Sequence, residues 1–196
     1  MIPVRKVQEP GKFSAKVRTP GNRWLAQNPN PRKRPPAYWS KIIPELESGF
    51  KKLCGYSAMW VPADGTVDHY LSVKNRRDLA YEWSNYRFAS AMLNSSKASA
   101  DNQVLDPYQV GEGWFEILLP SLIMQTTSAV PAKLRKKADY TLDRLKLRSG
   151  VRVIRWRQSW YESYKSGEMS LSMLRKVAPL IATAVGKALA KNGCVP

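Results

Sequence analysis

Asp68 and His69 are neighbours in the chain, and His69 is its single histidine. An unperturbed imidazole titrates near pH 6.5, so at physiological pH it is mostly neutral and able to take a proton from water. Asp68 leaves an extended strand on the side opposite His69 and offers a hard anionic oxygen. Alone, such a dipeptide is more often a structural hydrogen-bonding pair than a catalytic one. Its surroundings add to it. Asn85 ends the aromatic-rich stretch Tyr81-Glu82-Trp83-Ser84, and Asn94 and Lys97 stand one helical turn apart in Ala89–Ala98, on one face. A carboxylate with a neutral amide oxygen leaves a divalent ion several positions for water and phosphate oxygens, which suits Mg²⁺ or Mn²⁺ and not a closed zinc site. Phosphodiester hydrolysis asks for these parts: a base for water, a cation for the charge on the phosphorane and leaving oxygen, and fixed in-line geometry.

The segments Thr66–Lys74, Ala80–Arg87 and Asn94–Lys97 together resemble the HNH nuclease family with its ββα-metal motif, in a His-Asn-Asn form. The resemblance implies roles. His69 would be the general base, Asp68 and Asn94 would hold one divalent cation, and Asn85 would hydrogen-bond across the loop to hold the His69 backbone. Lys97 would neutralise the scissile or a neighbouring phosphate. Pro3-Val4-Arg5-Lys6 and Thr141-Leu142-Asp143-Arg144-Leu145 are similar to the surroundings of HNH proteins in bacterial restriction and anti-phage systems such as Septu. Taken singly, Asn85 also reads as a strand terminator, Asn94 as a helix-surface group and Lys97 as one solvated charge among many.

Many relatives of this kind carry two Cys-x-x-Cys pairs around the motif. Here the corresponding places read Cys54-Gly55-Tyr56-Ser57 and Ser90-Ala91-Met92-Leu93. Ser and Leu do not replace thiolates, so no structural zinc is expected. Leu53, Met59, Trp60, Phe88, Met92 and Leu93 are expected to hold the hairpin by packing, with Cys54 a buried spectator.

The chain has 196 residues, 43% of them hydrophobic, enough for a packed core. Its 32 Lys and Arg outnumber 15 Asp and Glu, a net charge of +17 that favours polyanions, foremost nucleic acid. Two cysteines far apart exclude a disulfide-stapled scaffold and fit a reducing, cytoplasmic compartment. No export signal is visible, and the most apolar run, Ala178–Ala190, is too short to span a bilayer. No membrane partner is expected. Duplex DNA is the expected substrate, with RNA or single strands left open. The cationic contacts are assigned to Arg32, Lys33, Arg34, Lys74, Arg76, Arg77, Arg87, Arg152 and Arg155. A homodimer or a partner ATPase are the assemblies left open. The competing class is a non-catalytic nucleic-acid-binding or assembly protein with a degenerate HNH fold.

The expected fold is α+β: a central ββα-metal motif in a mostly helical domain with an extended basic N-terminal arm. Residues 1–37, with seven prolines up to Pro36, form that arm. Residues 38–105 form the HNH core, opened by a helix over Tyr38–Leu53 whose apolar residues fall at three- and four-residue gaps. Ala63-Asp64-Gly65 predicts a turn between strands at Ser57–Trp60 and Thr66–Val73. The aromatics from Tyr81 to Phe88 suit a second strand and Ala89–Ala98 a helix. Residues 106–196 carry a strand at Trp114–Leu119, a polar stretch at Gln125–Ser128, and helices over Lys133–Leu147, Val151–Tyr164 and Ser170–Lys191, the last stopped by Gly193.

Overall fold

The computed structural model describes residues 1–191. Its centre is an antiparallel pair: β1 (Gly65–His69) with β2 (Tyr86–Ser90), Asp68 opposite Arg87 and His69 opposite Tyr86. β2 continues without a loop into α3 (Ala91–Lys97), because the Ser90 hydroxyl accepts the Leu93 N–H and starts the helix. Two earlier helices, α1 (Thr19–Gln27) and α2 (Ile43–Gly49), precede this ββα unit. A second two-stranded sheet, β3 (Phe115–Leu118) with β4 (Ile123–Thr126), follows it. Four helices complete the described residues: α4 (Ala132–Arg144), α5 (Val151–Lys165), α6 (Leu171–Val177) and α7 (Pro179–Lys191). The architecture is α+β, and among the described residues the strands form two small antiparallel sheets. Among the described residues no helix is long and apolar enough to cross a membrane.

Several elements differ from the sequence reading. The N-terminal segment is not an extended arm. Phe13 and Val17, one turn apart, are fully buried, and Phe13 meets Trp83 and Tyr86 edge to face at 5.4 and 5.8 Å. Gly21 lies so close to the Tyr81 ring that a Cβ would fall 2.2 Å from it. The prolines hid a sparse apolar spacing that tertiary contacts exploit, and one continuous core runs from Met1 to Val185 across the boundaries expected at 37 and 105.

The expected helix over Tyr38–Leu53 is a 3₁₀ turn (Tyr38–Ile42) followed by α2, which Pro44 opens and Gly49 ends. Ser57–Trp60 does not pair with β1. Leu53 and Trp60 bridge each other, Cys54 N–H reaches the Met59 carbonyl at 2.9 Å, and Gly55 N–H ties this turn to Phe88 at 2.9 Å. Leu53, Met59, Phe88 and Leu93 are buried, with Trp60 and Met92 packed against them, and Cys54 is a buried free thiol. Of the polar stretch expected over Gln125–Ser128, Gln125 and Thr126 belong to β4 and the rest follows it. The expected final helix breaks at Ala178 (φ −150°), because the residue before Pro179 is driven out of the helical region. Gly193 lies outside the described residues.

Candidate active site

Strand alternation sends Asp68 and His69 to opposite faces of β1. On one face, Asp68 is 1% exposed and both of its oxygens are engaged. Tyr56 OH donates to Oδ2 at 2.6 Å, and Lys97 Nζ donates to Oδ1 at 2.9 Å. Burial beside the Asp68 charge pushes the Tyr56 phenol well above its ordinary range, so it remains a proton donor. Lys97 also donates to the His69 carbonyl at 2.8 Å, and Asn94 Nδ2 to the Val67 carbonyl at 3.2 Å. Thus α3 is pinned along β1 at carbonyls on either side of Asp68, and Asp68, Asn94 and Lys97 form one cluster.

The His69 ring turns to the other face, half-buried between Trp39 and Tyr86, whose ring centroids lie 4.6 and 5.0 Å away, nearly perpendicular. Nε2 is 2.9 Å from the Ala80 carbonyl, which also accepts from Tyr86 OH at 2.7 Å. A carbonyl only accepts, so Nε2 carries the proton and Nδ1 holds the free lone pair. Nδ1 has no partner among the described residues and is not one of the fully buried unsatisfied atoms, so it keeps some accessible surface. Burial holds the imidazole below its ordinary range. The Ala80 contact and the Asp68 charge oppose that shift, and the Lys97 charge adds to it. His69 is therefore neutral at physiological pH and within the field of the Asp68–Lys97 pair.

Asn85 clasps the intervening loop. Its Oδ1 accepts from Leu71 N–H at 2.8 Å, and its Nδ2 donates to the carbonyls of Leu71 at 2.8 Å and Leu79 at 3.3 Å. Its own carbonyl receives the Tyr70 N–H at 2.8 Å. The loop that carries Ala80 is thereby fixed to the end of β1. Asp101, just beyond the end of α3, supports the same loop, accepting from Ser72 N–H and Asn75 Nδ2 at 2.7 and 2.6 Å.

Three assignments need correction. Asp68 is not an open carboxylate, since it already faces an ammonium. Lys97 is 0% exposed, and its charge is used on Asp68 instead of reaching a phosphate at the surface. Arg87 is buried in a two-pronged pair with Asp106, both contacts 2.6 Å, with its guanidinium 4.1 Å from the Tyr108 ring centre, so it is not a nucleic-acid contact. A buried arginine on a fully covered strand requires such a partner.

The remaining cations are better placed. Arg32, Lys33, Arg34, Lys74, Arg152 and Arg155 are exposed, and Arg76 is exposed in a pair with Asp78. Arg77 donates to the carbonyls of Lys33 at 2.7 Å and Asn28 at 3.0 Å and lies over the Trp24 ring, fastening the basic run to the loop that ends at Ala80. Trp39, Tyr56, the Ala80 carbonyl and Asp106 escaped the sequence reading. Tyr56 lies within the segment expected to have lost zinc ligands, and Trp39 read as part of an apolar stripe and as a residue pinning the N-terminal arm, with no link to His69.

As donors, the Asp68 carboxylate and Asn94 amide oxygen suit a hard divalent cation. The carboxylate has about four acceptor positions, and Tyr56 and Lys97 take two of them. Asn94 Oδ1 has no partner among the described residues and is not a buried orphan. Among the described residues no group of three or more His, Cys, Asp or Glu is placed to hold a metal, and an Asp–Asn pair is not of that kind. The chain matches no protein-family model and no curated protein sequence.

Proposed function

We propose that the protein is a metal-dependent HNH endonuclease that hydrolyses phosphodiester bonds, with double-stranded DNA as substrate and bacterial restriction or anti-phage defence as its setting. The observation that carries this reading is the His69 imidazole: neutral, held in one tautomer by Ala80, and accessible at Nδ1, at the end of a strand whose other side carries the Asp68–Asn94–Lys97 cluster. Nδ1 takes a proton from water as it attacks phosphorus. Trp39 and Tyr86 fix the ring plane, and Asn85 fixes the loop that supplies the Ala80 carbonyl. Asp68, buried with one oxygen on Tyr56 and the other on Lys97, would have to exchange one of these contacts to hold Mg²⁺ or Mn²⁺ with Asn94, and the ion would supply positive charge to the phosphorane and leaving oxygen. Lys97 sets the position of Asp68 and of the His69 backbone. The exposed cations of residues 32–34, beside the same loop, grip the backbone without reading its sequence.

The closed Asp68–Lys97 pair favours a second reading, a nucleic-acid-binding protein that retains the ββα frame without cutting. Plasmid nicking separates the two. Nicking by wild type with Mg²⁺ or Mn²⁺, abolished by EDTA and reduced by about 10²–10⁴-fold in His69→Ala, is the expected result. Supercoiled plasmid left equally intact by both proteins, with binding retained in both, would establish the second reading.

A further inference from the structure

The Leu53–Trp60 turn, α5 and α6 meet around a cavity of about 300 Å³ lined by Lys51, Lys52, Trp60, Trp160, Met173 and Lys176. None of these residues takes part in the Asp68–His69 site. The two indole rings stand 6.0 Å apart with their planes at 58°, forming two inclined walls. Trp60 N–H is bound to the Val177 carbonyl at 2.7 Å, which locks the turn against α6. Trp160 Nε1 is buried without an acceptor, a donor left unsatisfied against the usual rule. Met173 is 47% exposed at the rim.

The charge here has one sign. Lys51, Lys52 and Lys176 are exposed, and none of them forms an ion pair among the described residues. Lys51 and Lys52 also occupy consecutive left-handed positions, with φ of 54° and 61°, a conformation that glycine or asparagine adopts more easily. Lysine at both places holds two ammonium groups at the mouth of an aromatic pocket.

Aromatic faces and three ammonium groups with no ion pair among the described residues together match a planar ring attached to an anion. We propose that this pocket binds one unpaired nucleotide of a single-stranded nucleic acid. The base packs on the exposed faces of Trp60 and Trp160, and the flanking phosphates meet Lys51, Lys52 and Lys176. The volume is at the lower end for ligand cavities, which suits one base. An acidic peptide would satisfy the lysines but has no planar ring obligatory for the indole walls.

The test uses the whole His69→Ala protein in EDTA, so that no strand is cut and the result is independent of the nuclease reading. A single-stranded pentathymidylate with a central 5-iododeoxyuridine is irradiated with the protein and the crosslinked peptides are mapped. Crosslinks at Trp60, Trp160 or Met173 are expected. By fluorescence anisotropy, Lys52→Glu with Lys176→Glu should weaken the same oligonucleotide by about tenfold, well beyond the loss from Lys133→Glu with Lys136→Glu, an equal charge change on α4. Trp160→Phe should retain binding that Trp160→Leu loses. Crosslinks mapping only elsewhere, or equal weakening by the two double variants, would overturn the proposal. So would an acidic peptide displacing the oligonucleotide while Trp160→Leu binds normally, which would mark a protein-docking surface.

Discussion

Lys97 Nζ lies between the Asp68 carboxylate and the His69 carbonyl with no exposed surface, so neither charge of the pair has water to fall back on. Removing one partner strands the other. Lys97→Met is expected to lower unfolding stability by about 3–5 kcal/mol in urea denaturation. Adding Asp68→Asn to it should recover part of that loss, and a double-mutant cycle would measure the coupling. His69 gives a pH signature. Burial lowers its folded-state pKa below the ordinary 6.5 of an unfolded histidine, so between the two values the unfolded chain binds more protons. Its contribution to stability is therefore complete above about pH 6.5 and is lost as pH falls through the folded pKa. Thermal midpoints of wild type and His69→Gln should diverge across that window, and with a single histidine in the chain the difference has one source. The proposed nicking should hold its rate below pH 6.5 for the same reason. At this scale, residue types and order announced Asp68, His69, Asn85 and Asn94. What Lys97 and Arg87 touch could not be read, because a buried and a solvated lysine or arginine are the same letter until the partner, Asp68 or Asp106, is brought in from distant sequence.

The elements that hold these side chains are short, and side-chain hydrogen bonds substitute for length. Asn85 closes the loop after β1 through three contacts, and losing them frees the segment that carries Ala80. Asn85→Ala should leave the global unfolding transition cooperative while amide exchange at Leu71 accelerates and nicking falls with His69 untouched. Locally, α3, α4 and α5 were legible because periodicity and composition agreed. β4 was not, since Ile123–Thr126 is a half-polar edge whose pairing is decided by β3. The break at Ala178–Pro179 was written in the proline, but the apolar spacing on either side of it ran on uninterrupted.

Across the whole molecule, the N-terminal segment is part of the core. Phe13→Ala should destabilise the entire fold by about 3–5 kcal/mol, seen as one shifted transition instead of a frayed end. The net charge of +17 predicts binding that weakens linearly in log–log salt titrations, and Arg32→Ala with Arg34→Ala should flatten that slope. Net charge was plain from composition. That the proline-rich stretch is folded in was not, because Phe13, Val17 and Gly21 acquire meaning only against Trp83, Tyr86 and Tyr81. Arg77 draws the two themes together, since it fastens the backbone of residues 28–33 to the loop behind His69. In the proposed nuclease, a strand gripped at Arg32–Arg34 would thus meet the imidazole across a fixed interval, like stock held in a jig, and its product ends should gather at one offset from the gripped phosphate instead of spreading along the strand.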